Sequence, residues 1–433
     1  MDLRIEKLIY GGDGLARLPA DDNGRGEAVF LPFVLAGERV DARLTEEKPG
    51  FARATPKEIL ETSPHRIEAR CPYFRACGGC QYQHSSYSHQ LDVKASILRE
   101  NLRRIAKVDL PSELRVHPSP PWNYRNRTRL RVRVQPAFEL GYFKFGSHEL
   151  LAVEECPISS PTINKAIQSL WQAGRGGALD PDIREIELFA DAEDQHLLIE
   201  AFCSRDVQPS RAAQLAEVLR NTLAEVVGVT VFRGTADAGK SNGVPEILAQ
   251  AGASDLSYKT AGPAYRVSAG SFFQTNRYQT DELVGIVTSG VSGRTAIDLY
   301  AGVGLFTVVL SREFERVVAV EASQQSHADL VYNSPANVKT VRSTVDQYLK
   351  NAAGRQRADL IVVDPPRGGL GEGVAKGLAA LETARMTYVS CDPATLARDL
   401  VPLLAGGYHI EEAHLVDLFP QTFHLESVLH LVR

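Results

Sequence analysis

Lone thiols, paired carboxylates and one evenly spaced arginine run carry most of the chemistry available to this chain. Cys391 lies in YVSCDPATLARDL, after the extended-favouring Thr387, Tyr388 and Val389 and before Asp392 and Pro393. Asp suits a helix N-cap and Pro the first helical turn, so Cys391 is predicted at a strand-to-helix corner. Unpaired N–H groups and the helix dipole favour an anion there and draw a thiol of pKa ~8.5 toward thiolate near neutral pH. The functional reading is a nucleophile; the structural one is a small buried hydrophobe. FPQTFHLESV adds Glu426, a candidate general base, and His424, a polar positioning group. DLIVVDPPRGG places Asp364 at a strand end, with Arg367 beyond two prolines that stiffen the loop.

DLYAGVGLFT offers Gly302 and Gly304 for a tight turn close to a ligand, without the third glycine of a dinucleotide fingerprint. Glu321 follows about 20 residues on, where an acid commonly binds ribose hydroxyls. The set reads as nucleoside binding without a pyrophosphate, which suits S-adenosylmethionine better than NAD.

Cys71, Cys77 and Cys80 form C-x5-C-x2-C, and Cys156 in ECPI supplies a possible fourth thiolate. Four thiolates fit structural zinc or an iron–sulfur cluster, and spacing alone leans to zinc. In WNYRNRTRLRVRV, arginines recur at 125, 127, 129, 131 and 133. At strand period two these guanidiniums share one face, with Leu130, Val132 and Val134 turned inward. Five like charges in register call for an anionic partner, and RNA phosphate is the expected one, with Trp122 and Tyr124 nearby for stacking.

The elements that position these groups fall into three regions. Residues 1–60 show short alternating strands and Gly-rich turns, the pattern of a small OB-type barrel. Residues 61–255 mix strands and helices, including a helix near 85–107 whose Leu91, Ala95, Leu98, Leu102 and Ile105 share a face. Residues 256–433 alternate strands with helical segments, predicting a doubly wound, mostly parallel sheet whose last two strands pair antiparallel.

At 433 residues, with 44% hydrophobic and 23% charged residues, the composition is that of a soluble multidomain protein. No apolar run approaches the roughly 18 residues of a membrane span, and MDLRIEKLIY is no signal peptide, so a cytoplasmic protein without membrane contact is expected. The formal charge of −5 means that any RNA-binding surface must be local.

Taken together, these motifs resemble the uracil-C5 RNA methyltransferases, and the cysteine pattern looks most like the iron–sulfur branch that modifies 23S ribosomal RNA. The resemblance runs nearly the whole length, through CPYFRACGGCQYQH with ECPI, NYRNR, FFQTN, DLYAGVG, DPPR, SCDP and FPQTFHLE. It implies an N-terminal TRAM-like barrel that holds RNA, a central α+β iron–sulfur domain and a Rossmann-like S-adenosylmethionine methyltransferase domain. It further implies a [4Fe-4S] cluster on Cys71, Cys77, Cys80 and Cys156, and cofactor contacts by Gln274, Tyr300, Glu321, Asp346 and Asp364. Cys391 would be the nucleophile and Glu426 the base, with Arg125, Arg127, Arg129, Arg131 and Arg367 meeting RNA. Leu305 departs from the pattern, since members often carry Asn there. The expected protein is a monomer acting on 23S rRNA; tRNA, cytosine-C5 chemistry and a noncatalytic RNA-binding role in ribosome assembly are the alternatives.

Overall fold

The computed structural model describes residues 1–18, 26–110, 113–204, 206–234, 246–352, 357–381 and 383–433. At the N-terminus, Leu3, Ile5, Val29, Leu31, Val40 and the small Ala16, Ala42, Ala52 and Ala54 gather into one core. Small side chains let a short sheet curl tightly around it. Six strands do so, in the order Asp2–Arg4, Arg39–Lys48, Phe51–Glu61, Ala28–Leu31, Gly14–Arg17, Lys7–Leu8. This is the N-terminal β-domain that the alternating pattern predicts.

The middle of the chain builds a seven-stranded sheet in the order Leu150–Ala152, Glu139–Phe143, Arg127–Arg133, Ile183–Ala190, Leu197–Cys203, Val226–Arg233, Ile247–Gly252. Helices Pro161–Arg175 and Pro209–Arg220 both open on a proline, where a missing N–H costs nothing, and they cover it.

The C-terminal sheet has eight strands, ordered Val338–Arg342, Phe314–Glu321, Gly293–Leu299, Leu360–Val363, Arg385–Ser390, Glu426–Val432, His409–Val416, Leu114–His117. The first five run parallel, and Glu426–Val432 is antiparallel to both its neighbours. Seven of its strands lie beyond residue 290, in the region whose alternation predicts a mostly parallel sheet. The eighth, Leu114–His117, comes from the region placed in the central domain and pairs parallel with His409–Val416. Four residues are too few to display a period, which is why the sequence does not announce it.

Helix Tyr87–Asn101, continued by a wider turn over Leu102–Ala106, also belongs to this half. Ile97, Leu98 and Leu102 share a core with Leu396, Leu400 and Leu403 of helix Pro393–Ala405. The helix is buried over more than the predicted stripe: Val93, Lys94 and Ile97 are inside, whereas Leu91 is only half-buried. No helix among the described residues is long and apolar enough to cross a membrane.

Lys94 explains the wider burial. Its side chain and that of Asp417 are both 0% exposed, and Lys94 Nζ lies 2.6 Å from Asp417 Oδ1 and 2.9 Å from the Phe419 carbonyl oxygen. Tyr87 donates to Asp417 Oδ2 at 2.9 Å, completing the shell of the buried carboxylate. The pair anchors the helix to the segment just ahead of Glu426. Removing one partner of a buried pair leaves the other uncompensated, so Lys94→Met should cost about 3–5 kcal/mol. Chemical denaturation followed by Trp fluorescence and circular dichroism checks this, and pairing Lys94→Met with Asp417→Leu should recover part of the loss.

Candidate active site

Strand Arg385–Ser390 ends one residue before Cys391, and the next residue starts a helix. Asp392 Oδ1 accepts from the N–H groups of Ala394 and Thr395, each at 2.9 Å, and Pro393 is the first helical residue. The predicted corner is therefore present. Ser390 is paired with Ser427 across the antiparallel ladder, and the Ser427 hydroxyl donates to the Ser390 carbonyl at 3.2 Å. Continuing that register brings Cys391 opposite Glu426, whose side chain is almost wholly enclosed at 5% exposure. Asp364 ends the neighbouring strand Leu360–Val363. Beyond two prolines, Arg367 Nη2 lies 3.4 Å from His424 Nε2. Thiol, two carboxyl groups and guanidinium thus meet at the carboxyl edge of the sheet, where ligands of such folds bind.

The charge state differs from the sequence expectation. Cys391 is pushed up to about 12, first by burial, then by the charges of Glu426 and Asp364, with Arg367 opposing. The helix terminus cannot reverse this, because the Asp392 carboxylate already takes its N–H groups. Burial also raises Glu426 well above the carboxylate range, Asp364 adding to the effect. Asp364 itself rises to about 7 through burial and the nearby Asp298. His424 is lowered to about 3 by burial and Arg367, so it is a neutral acceptor for the guanidinium. Burial thus works against the charged form of the thiol and of both carboxyl groups.

The glycine turn follows strand Gly293–Leu299. Tyr300 holds a left-handed φ of +64°, and Gly302 and Gly304 follow at +56° and +98°. A Cβ on Gly302 would meet nothing within 4 Å, so the turn faces open space. Glu321 accepts from Gly302 N at 2.9 Å and from Ser323 N at 2.6 Å, fixing the acid against that space. Asp298, which the sequence reading passed over, is 0% exposed, takes a hydrogen bond from Thr307 through Oδ2 and leaves Oδ1 without a partner. The donor and acceptor set fits an adenosine and its amino-acid tail. Asp346 is engaged elsewhere, 2.6 Å from Lys350 on its own helix, although its charge is felt at the Tyr300 phenol. Gln274 is half-buried in the loop between Ser268 and Asn276.

Comparison with known proteins agrees with this geometry. Residues 86–433 match the family model described as tRNA (Uracil-5-)-methyltransferase, and residues 1–57 match the TRAM domain. An uncharacterized RNA methyltransferase of Aquifex aeolicus is 33% identical over 99% of this chain and 97% of its own length. Another from Gloeobacter violaceus is 31% identical over 99% and 95%. The chain belongs to the tRNA (uracil-5-)-methyltransferase family. The crystal structure of Pyrococcus abyssi tRNA (uracil-54, C5)-methyltransferase in complex with S-adenosyl-L-homocysteine shares the fold, with a TM-score of 0.75 at 24% identity over all of both chains. A family member with this site is an S-adenosylmethionine-dependent RNA (uracil-C5)-methyltransferase, with an N-terminal TRAM domain ahead of the α/β methyltransferase fold.

Two other expectations concern the central sheet. Cys71, Cys77, Cys80 and Cys156 line one cavity of about 250 Å³. Among the described residues no three His, Cys, Asp or Glu side chains are gathered closely enough for a single metal ion. A lone zinc would draw its sulfurs to ~2.3 Å from one point, and the four thiols that line the cavity are not so gathered.

The arginine ribbon is corrected by the structure. Arg127, Arg129, Arg131 and Arg133 do share a face of strand Arg127–Arg133, with Leu130 and Val132 in the core. The anions that balance them are the chain's own. Arg129 and Arg131 sit in register with Glu187 and Glu185 and form ion pairs with them. Arg127 is 9% exposed and held by Glu187 and Glu200, and Arg133 pairs with Glu139. Their charge therefore does not call for RNA. Tyr124 is fully buried, its hydroxyl donating to the Pro420 carbonyl at 3.1 Å, so it is no stacking platform. Arg125 lines the cysteine cavity instead, and Arg367 stays exposed at the site.

The thiol's charge state is open to measurement. Alkylation of Cys391 by iodoacetamide, followed by peptide mass spectrometry, should be slower at pH 7–9 than that of an exposed cysteine, because burial and the nearby carboxyl groups disfavour its thiolate. Adding S-adenosylmethionine should speed it, because a sulfonium cation favours the thiolate. Neutral S-adenosylhomocysteine should not.

Proposed function

We propose that this protein methylates carbon 5 of a specific uridine in 23S rRNA through a transient bond between Cys391 and carbon 6 of the base. The observation that carries the reading is the cross-strand placement of Cys391 opposite Glu426, with Asp364 one strand away. Carbon 5 of uracil is a poor nucleophile. Beside a sulfonium cation Cys391 and Glu426 give up their protons to solvent; addition of the Cys391 thiolate to carbon 6 then turns the ring into an enolate, whose carbon 5 takes the methyl group while the sulfur of the donor leaves as a neutral thioether. S-adenosylmethionine supplies that electrophilic methyl carbon. Glu426 removes the carbon-5 proton, the ring double bond reforms and the cysteine sulfur leaves as thiolate.

Gln274, Tyr300, Glu321 and Asp364 hold the methyl donor in this reading, with Asp346 at the margin. Arg367 and Arg125 meet RNA phosphate at the mouth of the site, while Arg127, Arg129 and Arg131 take a structural part. The base must leave its stack to reach the thiol, so a loop or flipped-out uridine is the form recognised. A tRNA substrate is the second reading, favoured by the description of the matching family. The cysteine set holds a [4Fe-4S] cluster, and the protein works as a cytoplasmic monomer.

Two measurements test these assignments. RNA carrying 5-fluorouridine should trap wild-type protein as an adduct stable to denaturing electrophoresis, because the fluorine at carbon 5 cannot be abstracted. Cys391→Ala should give no adduct and no product from labelled S-adenosylmethionine, while still binding the donor. Glu426→Gln should lower kcat by about 10²–10⁴-fold with ordinary uridine RNA and accumulate the adduct. Mapping 5-methyluridine in rRNA and tRNA from cells with and without the gene separates the two substrates. For the cluster, anaerobic reconstitution should give broad visible absorbance with equal iron and labile sulfide, and Cys80→Ser should lose both; a bound zinc with no absorbance would refute it.

A further inference from the structure

We propose that Tyr10 of the N-terminal domain is a positioning residue for the Cys391 nucleophile, acting through a hydrogen bond from its phenol to the Cys391 carbonyl; this rests on the reading of Cys391 given above. The distance is 3.1 Å, across 381 positions of sequence. The Cys391 carbonyl lies where the strand has ended at Ser390 and the helix has not yet begun. Its ladder partner is gone, and Tyr10 supplies the donor. Because Cys391 is joined to the next peptide through this carbonyl, holding it fixes the direction of the Cα–Cβ–Sγ arm.

The barrel loop is shaped to deliver that phenol. Ile9 N donates to Asp13 O at 2.9 Å and Gly12 N to Ile9 O at 3.1 Å, closing a tight turn. Gly11 and Gly12 have φ of +107° and +95°. A Cβ on Gly12 would lie 2.8 Å from Gln81 Cβ and 3.6 Å from Phe423 Cβ, so the turn is pressed between Gln81, which follows Cys80, and the loop ahead of Glu426. The Tyr10 ring meets Phe423 edge-on at 5.3 Å and 88°. Phe423 packs on His424 at 4.1 Å, and His424 contacts Arg367. One barrel side chain therefore touches the nucleophile's backbone and the wall that carries Arg367. Burial and the neighbouring Asp392 keep the phenol protonated, as a donor must be.

Tyr10→Phe in the full chain removes only the phenol oxygen. The expected result is a fall in kcat of about tenfold, since small displacements of a nucleophile are costly, with unchanged KM for S-adenosylmethionine and RNA. The rate of 5-fluorouridine adduct formation should fall by the same factor. Hydrogen exchange should quicken in the peptide spanning residues 391–395 and nowhere remote from it. A kcat within about twofold of wild type, with unchanged exchange, overturns the proposal. So does a raised KM for RNA at unchanged kcat, which would make Tyr10 an RNA contact. Tyr10→Leu, which also loses the Phe423 contact, should show the same kcat effect or a larger one. If wild-type protein forms no adduct, the covalent reading fails, and the exchange measurement still decides whether Tyr10 holds the Cys391 peptide.

Discussion

Placing a thiol and two carboxyl groups on one enclosed sheet edge creates a charge problem on which the rest of the site depends. Each anion makes the next harder to form. Cys391, Glu426 and Asp364 are all raised, with burial the first cause in each case. The helix that begins after Cys391 does not relieve this, because its first N–H groups are bonded to the Asp392 carboxylate. Positive charge must therefore come from Arg367 or from what binds. Burial and the neighbouring carboxyl groups thus hold Cys391 as a thiol unless positive charge lies beside it.

Such a site works only if the acid stays opposite the thiol, and the fold devotes several buried contacts to the segment 417–424 that leads into Glu426. Lys94 and Tyr87 hold Asp417. Asn276 donates to the Leu418 carbonyl at 3.0 Å, and Tyr124 to that of Pro420. Gln421, at a φ of +69°, exchanges hydrogen bonds with Gln90, while its carbonyl accepts from the N–H groups of Gln81 and Tyr82. Gln81 directly follows Cys80, so the cysteine segment is bonded to the loop that carries Glu426, and order in the one is order in the other.

Local features were the legible ones. The strand, Cys391, the Asp392 cap and the Pro393 first turn follow from neighbouring residues and stand as read. The glycine turn and Glu321 were visible for the same reason. The errors arise where a residue's meaning depends on a distant partner. The thiolate expectation counted the helix and not Asp364 or Glu426, which arrive from other strands. The arginine strand looked unbalanced because nothing local indicates that Ile183–Ala190 lies beside it with Glu185 and Glu187 in register. Nothing local to Tyr10 shows its bond to the Cys391 carbonyl, because the two lie 381 positions apart.

The corrected arginine strand changes what the central sheet is for. Arg127 reaches past Glu187 and Glu200 to donate to the Ser271 carbonyl, and Glu200 accepts from Gly270 N at 2.9 Å. Asp329 takes hydrogen bonds from Ser268 N and from the hydroxyls of Ser268 and Ser271. Asn126 N donates to the Thr275 carbonyl at 3.1 Å. All of these land on the segment 268–276, which contains Gln274. The buried charges thus grip the loop 268–276, much as Lys94 grips the loop ahead of Glu426. Buried ions fully satisfied by one another and by backbone rigidify what they touch. A sheet used this way spends the positive charge of Arg127, Arg129 and Arg131 on its own carboxylates.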